Sequence, residues 1–236
     1  MNLQNKTAIV TGASDGIGRQ VALKLVEHGV NLALLGRNKA RLNEVKSEIA
    51  KIDNKLKVKI YSCDIRKNGE LKKTARQIFS DFKNTHVLVN VAGVWQKKLP
   101  IEDIPENIID DVIQTNLTAL IQITRLVMPN LKKQKEAAII NVSSKSGVTA
   151  QDGQSVYSAS KWGVRGFTEV LKTDLKNSNV RVAGVYQSGT DTKMFEKTGE
   201  KVPSETFTNP SDLADVIVYM LSRPDKIWLH EVRVDY

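Results

Sequence analysis

Short apolar runs alternate with longer stretches of helical period along the whole chain, and turn residues separate them. The first run, residues 7–10, leads into a cluster of glycines and then a helical pattern over 19–27. Gly29 stands where a left-handed helix cap belongs. An apolar run at 31–35 follows, then a charged helix over 39–51, a strand at 57–61 and a helix over 70–82. Residues 86–91 are nearly all apolar, as suits a strand covered on both faces. A long helical pattern at 105–131 precedes a strand at 137–142, a helix at 155–176 and a strand at 180–185. A helix at 210–221 and a strand at 231–234 complete the series. This rhythm predicts an α/β fold: a single doubly wound domain over residues 1–236, with a parallel sheet of about seven strands and helices on both faces. The irregular stretch at 190–209 is expected to form a flexible flap, because long loops in compact domains tend to be functional.

The turn after the first strand reads Thr11-Gly12-Ala13-Ser14-Asp15-Gly16-Ile17-Gly18. A dinucleotide site needs glycines there for a sharp turn, for close approach of backbone to a pyrophosphate, and for a helix packed tightly on the sheet. Free N–H groups at the helix start then face the phosphates. The spacing is G-x-x-x-G-x-G rather than G-x-G-x-x-G, and glycines also build ordinary tight turns. Its place between the first strand and first helix favours the nucleotide reading, a domain of Rossmann type. Strand two ends Leu35-Gly36-Arg37, without the acid that would hold the ribose 2′-hydroxyl of NAD. The Arg37 fork can stack on adenine and pair with a 2′-phosphate, so NADP(H) is the expected cofactor. The alternative is an Arg37 that faces solvent and pairs with a helix acid.

Tyr157 and Lys161 lie four apart on a predicted helix and share one face. An ammonium nearby is expected to lower the phenol pKa and make Tyr157 a proton donor or acceptor near neutrality. Ser144, at the end of the fifth strand, is placed to meet them at the carboxyl edge of the sheet.

Taken together, the chain resembles the short-chain dehydrogenase/reductase family over nearly its whole length, of the NADP-preferring carbonyl reductase type. The family's T-G-x-x-x-G-x-G matches Thr11 to Gly18, and its acidic adenine contact matches Asp64, followed by Ile65. Its N-N-A-G strand end reads Asn90-Val91-Ala92-Gly93, with Val91 in place of the second asparagine. Its helix asparagine, serine and Y-x-A-S-K motif match Asn116, Ser144 and Tyr157-Ser158-Ala159-Ser160-Lys161. The resemblance implies that Tyr157 passes a proton, Ser144 orients the carbonyl or alcohol oxygen, Lys161 tunes Tyr157 and holds the nicotinamide ribose, and Asn116 anchors a water relay. It places Gly12, Ser14, Asp15, Gly16, Ile17, Gly18, Arg37, Asp64, Ile65, Asn90, Ala92 and Gly93 at the cofactor, with Gly189, Thr190 and Thr192. The usual Pro-Gly after strand six reads Ser188-Gly189 here, which is expected to loosen the start of that loop. Trp95, Gln151, Gln154 and Gln187 are the expected substrate-pocket residues.

Composition changes little of this. The chain has 236 residues, 41% hydrophobic and 26% charged, which excludes disorder and a membrane-spanning bundle. No 18-residue apolar window and no secretory pattern is present, so a cytoplasmic protein without membrane partners is expected. One cysteine, Cys63, and three scattered histidines suggest neither an intrachain disulfide nor a metal site. The net charge of +9 invites a nucleic-acid reading, but no aromatic platform interleaves with the lysines and a solvated surface is preferred. Ser158–Lys161 with Lys197-Thr198-Gly199 mimics the motifs of serine acyl-enzymes, but lacks S-D-N between them. The reading is an enzyme transferring hydride between nicotinamide and a ketone or secondary alcohol, of carbonyl or 3-hydroxy acid type. Alternatives are a 3-oxoacyl-thioester (acyl carrier protein) reductase and a non-catalytic NADP-binding regulator. A homodimer or homotetramer is expected.

Overall fold

Seven strands carry the apolar runs in the order read from the sequence. They are β1 (Thr7–Thr11), β2 (Asn31–Gly36), β3 (Val58–Ser62), β4 (Val87–Asn90), β5 (Ala137–Val142), β6 (Val180–Gln187) and β7 (Glu231–Val234). All pair in parallel, in the order β3-β2-β1-β4-β5-β6-β7. The computed structural model describes the whole chain except Lys201, Pro203, Asp225 and Tyr236, so the 190–209 flap falls partly outside the described residues.

Period-two alternation divides the core into two layers. Ala8, Val10, Leu32 and Leu34 face one side, where α1 (Gly16–Glu27), α2 (Lys39–Ile52) and α7 (Pro210–Ser222) cover them. Ile9, Ala33, Leu35 and Leu88 face the other, against α3 (Asn68–Asp81) and α5 (Ala119–Leu131). A fully buried leucine such as Leu34 contributes about 1.5–3 kcal/mol by leaving water. Because chain order reverses between β1 and β4, a crevice opens at the carboxyl ends of these strands, where α/β sheets bind ligands.

Three local departures from the sequence pattern matter for the site. The 105–131 helix is α4 (Glu106–Ile113), a π-helical turn over Gln114–Thr118, and α5. Apolar periodicity does not register the widened turn, which buries Thr115 and Asn116. The helix α1 begins at Gly16 rather than 19, because Asp15 caps it by accepting from Gly16 N–H. The loop after β6 does not start loosely: the Ser188 N–H donates to the Val234 carbonyl at 2.8 Å, a bond that proline would forfeit. The stretch beyond it contains 3₁₀ turns at Glu196–Thr198 and Ser204–Thr206 and a bridge between Thr190 and Thr208. Gly29 has φ +72°, the left-handed cap its position required.

Candidate active site

The glycine turn shows why it excludes side chains. A Cβ on Gly18 would collide with the Gly12 carbonyl oxygen, and one on Gly12 would stand 2.9 Å from the Ala92 Cα. Gly16, at φ +51°, lies under the Thr192 methyl. The turn therefore presses its backbone against the chain just after β4. Gly12, Ser14, Asp15, Gly16, Ile17 and Gly18 all line this cleft. So do Arg37, Asp64, Ile65, Ala92, Gly93 and Thr192.

Arg37 lies at the edge of the cleft and makes no ion pair among the described residues. The alternative of a helix-acid partner is thus not what the structure shows. Asp64 is held by Arg66, which donates to both carboxylate oxygens and to Asp111 on α4. These bonds keep the Asp64 carboxyl below its ordinary range. The Asp15 carboxylate, besides capping α1, meets Arg41 at 3.0 Å and Lys197 of the flap at 3.4 Å.

Asn90 does not join the cleft. Its side chain turns inward and donates to Thr124 Oγ1 at 3.1 Å and Asn141 Oδ1 at 2.9 Å. The reason is strand alternation: Asn90 shares its face with Leu88, toward α5. Asn141 continues the chain by donating to Thr168 on α6 (Ser155–Asp174).

A second cavity, of about 310 Å³, adjoins the first. Ser144 and Tyr157 open into it together with Trp95, Gln151, Gln154 and Gln187. Gly189 and Thr190 line this cavity rather than the glycine-lined cleft, while Thr192 borders both. The flap supplies Phe195, whose ring lies 5.0 Å from Trp95, and Phe207, 5.5 Å from Phe195. Glu200 accepts from the Trp95 indole N–H. No motif marked these flap residues, although two phenylalanines with Met194 and Val202 in a mostly polar stretch were a signal of a covered pocket.

The Tyr157 hydroxyl is hydrogen-bonded with Ser144, which the end of β5 brings to it at the carboxyl edge of the sheet. Its acidity differs from the sequence expectation. Burial pushes the phenol up to about 12, with the Ser144 bond pulling only partly the other way. Lys161 Nζ sits 5.6 Å from the Tyr157 ring centroid and is itself pushed down to about 8 by burial. Desolvation therefore outweighs the neighbouring charge. Lys161 approaches the Val142 carbonyl at 3.4 Å, and a Cβ on Gly93 would stand 3.7 Å from its Nζ. The ammonium thus lies directly behind the glycine edge of the cleft.

Asn116 is buried and its side chain bonds at both ends. Its Oδ1 accepts from Val94 N–H at 2.8 Å, and its Nδ2 donates to the Val94 carbonyl and to Ser160 Oγ. The amide braces the chain after β4 against α6. Gln96, absent from the sequence reading, is 1% exposed and accepts from Tyr157 N–H at 3.0 Å.

The sequence profile described as short chain dehydrogenase matches residues 6–203. The 3-oxoacyl-(acyl-carrier-protein) reductase of Thermotoga maritima is 30% identical over 230 residues, covering 94% of this chain and 92% of its own. The D-beta-hydroxybutyrate dehydrogenase of Cupriavidus necator is 32% identical over 240 residues, covering 93% and 92%. A metagenomic short-chain oxidoreductase solved with NADP superposes at a TM-score of 0.86 with 28% identity, over 100% of both chains. The profile match over most of the chain, and relatives of 30% identity or more along nearly its whole length, show that the chain belongs to the short-chain dehydrogenase/reductase family.

Proposed function

We propose that the protein is an NADP(H)-dependent oxidoreductase acting on a ketone or secondary alcohol, with Tyr157 as general acid and base. The observation that carries this reading is that Ser144 and Tyr157 open into one cavity beside the glycine-lined cleft. The cleft suits the cofactor because its cradle has no room for Cβ atoms and its edge holds Arg37, which makes no ion pair among the described residues. When bound there, the nicotinamide supplies or accepts the hydride.

The chain's own residues handle the proton and the oxygen. Ser144 and Tyr157 together hold the substrate oxygen, which fixes the reacting carbon relative to the cleft. In reduction, the Tyr157 hydroxyl proton goes to the oxygen as negative charge develops on it. With its phenol near 12, Tyr157 stays protonated through the neutral range and is ready to donate. Lys161 stabilises the phenolate left behind, and the amino end of α6 lies close to the same residue. Trp95 and Phe195 wall the pocket and keep water from the reacting atoms.

The two relatives named above act, by their names, on 3-oxo and 3-hydroxy acyl skeletons, which favours a substrate oxygenated at carbon 3. A free 3-hydroxy acid or simple carbonyl is the first reading, and a carrier-bound thioester the second. The test is NADPH consumption with ketones, 3-oxo esters and a 3-oxoacyl thioester, run in parallel with NADH. Consumption matched by alcohol formation is expected for at least one class, fastest with NADPH. Binding of NADPH with no turnover on any class contradicts the enzymatic reading and supports a regulator.

The assembly is proposed to be a homo-oligomer. Trp162, Gly166 and Val170 form one stripe on α6, with Trp162 46% and Val170 61% exposed. Such a stripe is suited to a second copy.

A further inference from the structure

We propose that Gln96 is a positioning residue for Tyr157, the last link of a three-residue clip that ties Asn116 to the catalytic tyrosine. This inference rests on the assignment of Tyr157 as the proton donor.

The start of α6 poses a physical problem. The first N–H groups of a helix have no partner within it, and the cap residue's side chain normally supplies one. Here the cap, Gln154, makes no such bond, because its Oε1 accepts instead from Ser146 Oγ at 2.8 Å. Tyr157, the third residue of the helix, is left with a buried N–H. Gln96 supplies the acceptor from 61 positions upstream, at 3.0 Å. Its own amide group donates to the Lys97 and Gly153 carbonyls, each at 3.1 Å. The carboxamide is buried and held through both its oxygen and its nitrogen, so it can fix the height of Tyr157 along the helix axis.

The two residues before it complete the clip. Val94 exchanges two backbone bonds with the Asn116 side chain, which also braces Ser160. The Trp95 ring stands edge-on to the Tyr157 ring, with centroids 4.6 Å apart. Asn116 thus sets Val94, Trp95 presses on the phenol ring, and Gln96 holds the backbone of the same tyrosine. Ser144 anchors the hydroxyl end. Tyr157 is restrained at backbone, ring and hydroxyl, as proton transfer to one oxygen requires.

The test compares Gln96→Met, which keeps the length but not the bonds, with Gln96→Glu, which keeps an acceptor for Tyr157 N–H. The Glu variant also buries a carboxyl against two carbonyls and is expected to melt no higher than the Met variant. Three readouts are taken: amide hydrogen exchange at Tyr157, kcat for carbonyl reduction, and Kd for NADPH by fluorescence. In Gln96→Met, exchange at the Tyr157 amide should rise at least about tenfold. The kcat should fall about tenfold or more while Kd stays within about twofold. In Gln96→Glu, both protection and kcat should recover toward wild type despite the lower melting temperature. Unchanged Tyr157 protection in Gln96→Met overturns the inference, as does a kcat in both variants that simply follows melting temperature. The exchange measurement needs no turnover, so a wild type inactive on all carbonyls would refute the catalytic assignment and leave the clip separately judged.

Discussion

At the level of single residues, the site works through what each side chain has left free. Arg37 makes no ion pair among the described residues, whereas Arg66 is paired with Asp64 and Asp111, and Arg41 with Asp15. In the proposed reading, Arg37 pairs with the 2′-phosphate of the cofactor. A hydrogen bond to a charged group is worth about 1.5–3 kcal/mol, so Arg37→Ala should weaken NADPH binding about ten- to a hundredfold. NADH binding should change little, and calorimetric titration with both cofactors reads the difference. Equal losses would place Arg37 on the shared adenine instead. The i, i+4 spacing of Tyr157 and Lys161 was legible in the sequence, but their acidities were not. Spacing shows a shared helix face, while burial is set by Trp95 and the strands packed around them. That is why the phenol rises to about 12 where the nearby amine suggested a fall.

At the level of elements, strand and helix periods located all seven strands and the main helices, with bounds shifted by a few residues. The β7 strand was read at its observed limits, Glu231–Val234. What periodicity missed was every feature made across distance in the chain. The π turn alters helical phase without changing residue types, Gln96 answers a helix that begins far downstream, and Asn90 was placed by motif rather than by strand face. The β1–β4 junction offers a pH test. His86, just ahead of β4, accepts from Thr7 N–H at Nδ1 and donates its own N–H to the Thr7 carbonyl. Burial and the nearby Lys6 push its imidazole from 6.5 down to about 4. Between those values the unfolded chain binds a proton that the native chain refuses, so stability falls as pH drops from about 6.5 toward about 4. In His86→Asn, which keeps an acceptor, urea midpoints should show a shallower decline over that window. An unchanged slope would assign the acid sensitivity to other groups.

At the level of the whole molecule, one sheet serves two neighbouring sites because its chain order reverses between β1 and β4 and its flap reaches over both. Lys197 of the flap contacts the glycine turn through Asp15, while Phe195 and Glu200 contact Trp95 at the substrate cavity. The glycine-lined cleft and the adjoining cavity, the proposed cofactor and substrate sites, therefore share one cover. The opposite consideration applies to the exposed α6 stripe, which touches neither site. Replacing Val170 by Asp places a charge in that stripe and should shift the protein to a monomer by analytical ultracentrifugation, with melting temperature nearly unchanged. A wild type that sediments as a monomer would refute the proposed assembly. The central claim is that Tyr157 delivers the proton, and its most direct test is Tyr157→Phe, assayed for NADPH-dependent carbonyl reduction alongside NADPH affinity. Loss of the acid should cost about 10²–10⁴-fold in kcat while Kd for NADPH stays within about twofold. Turnover retained near the wild-type rate, with cofactor still bound, would contradict it.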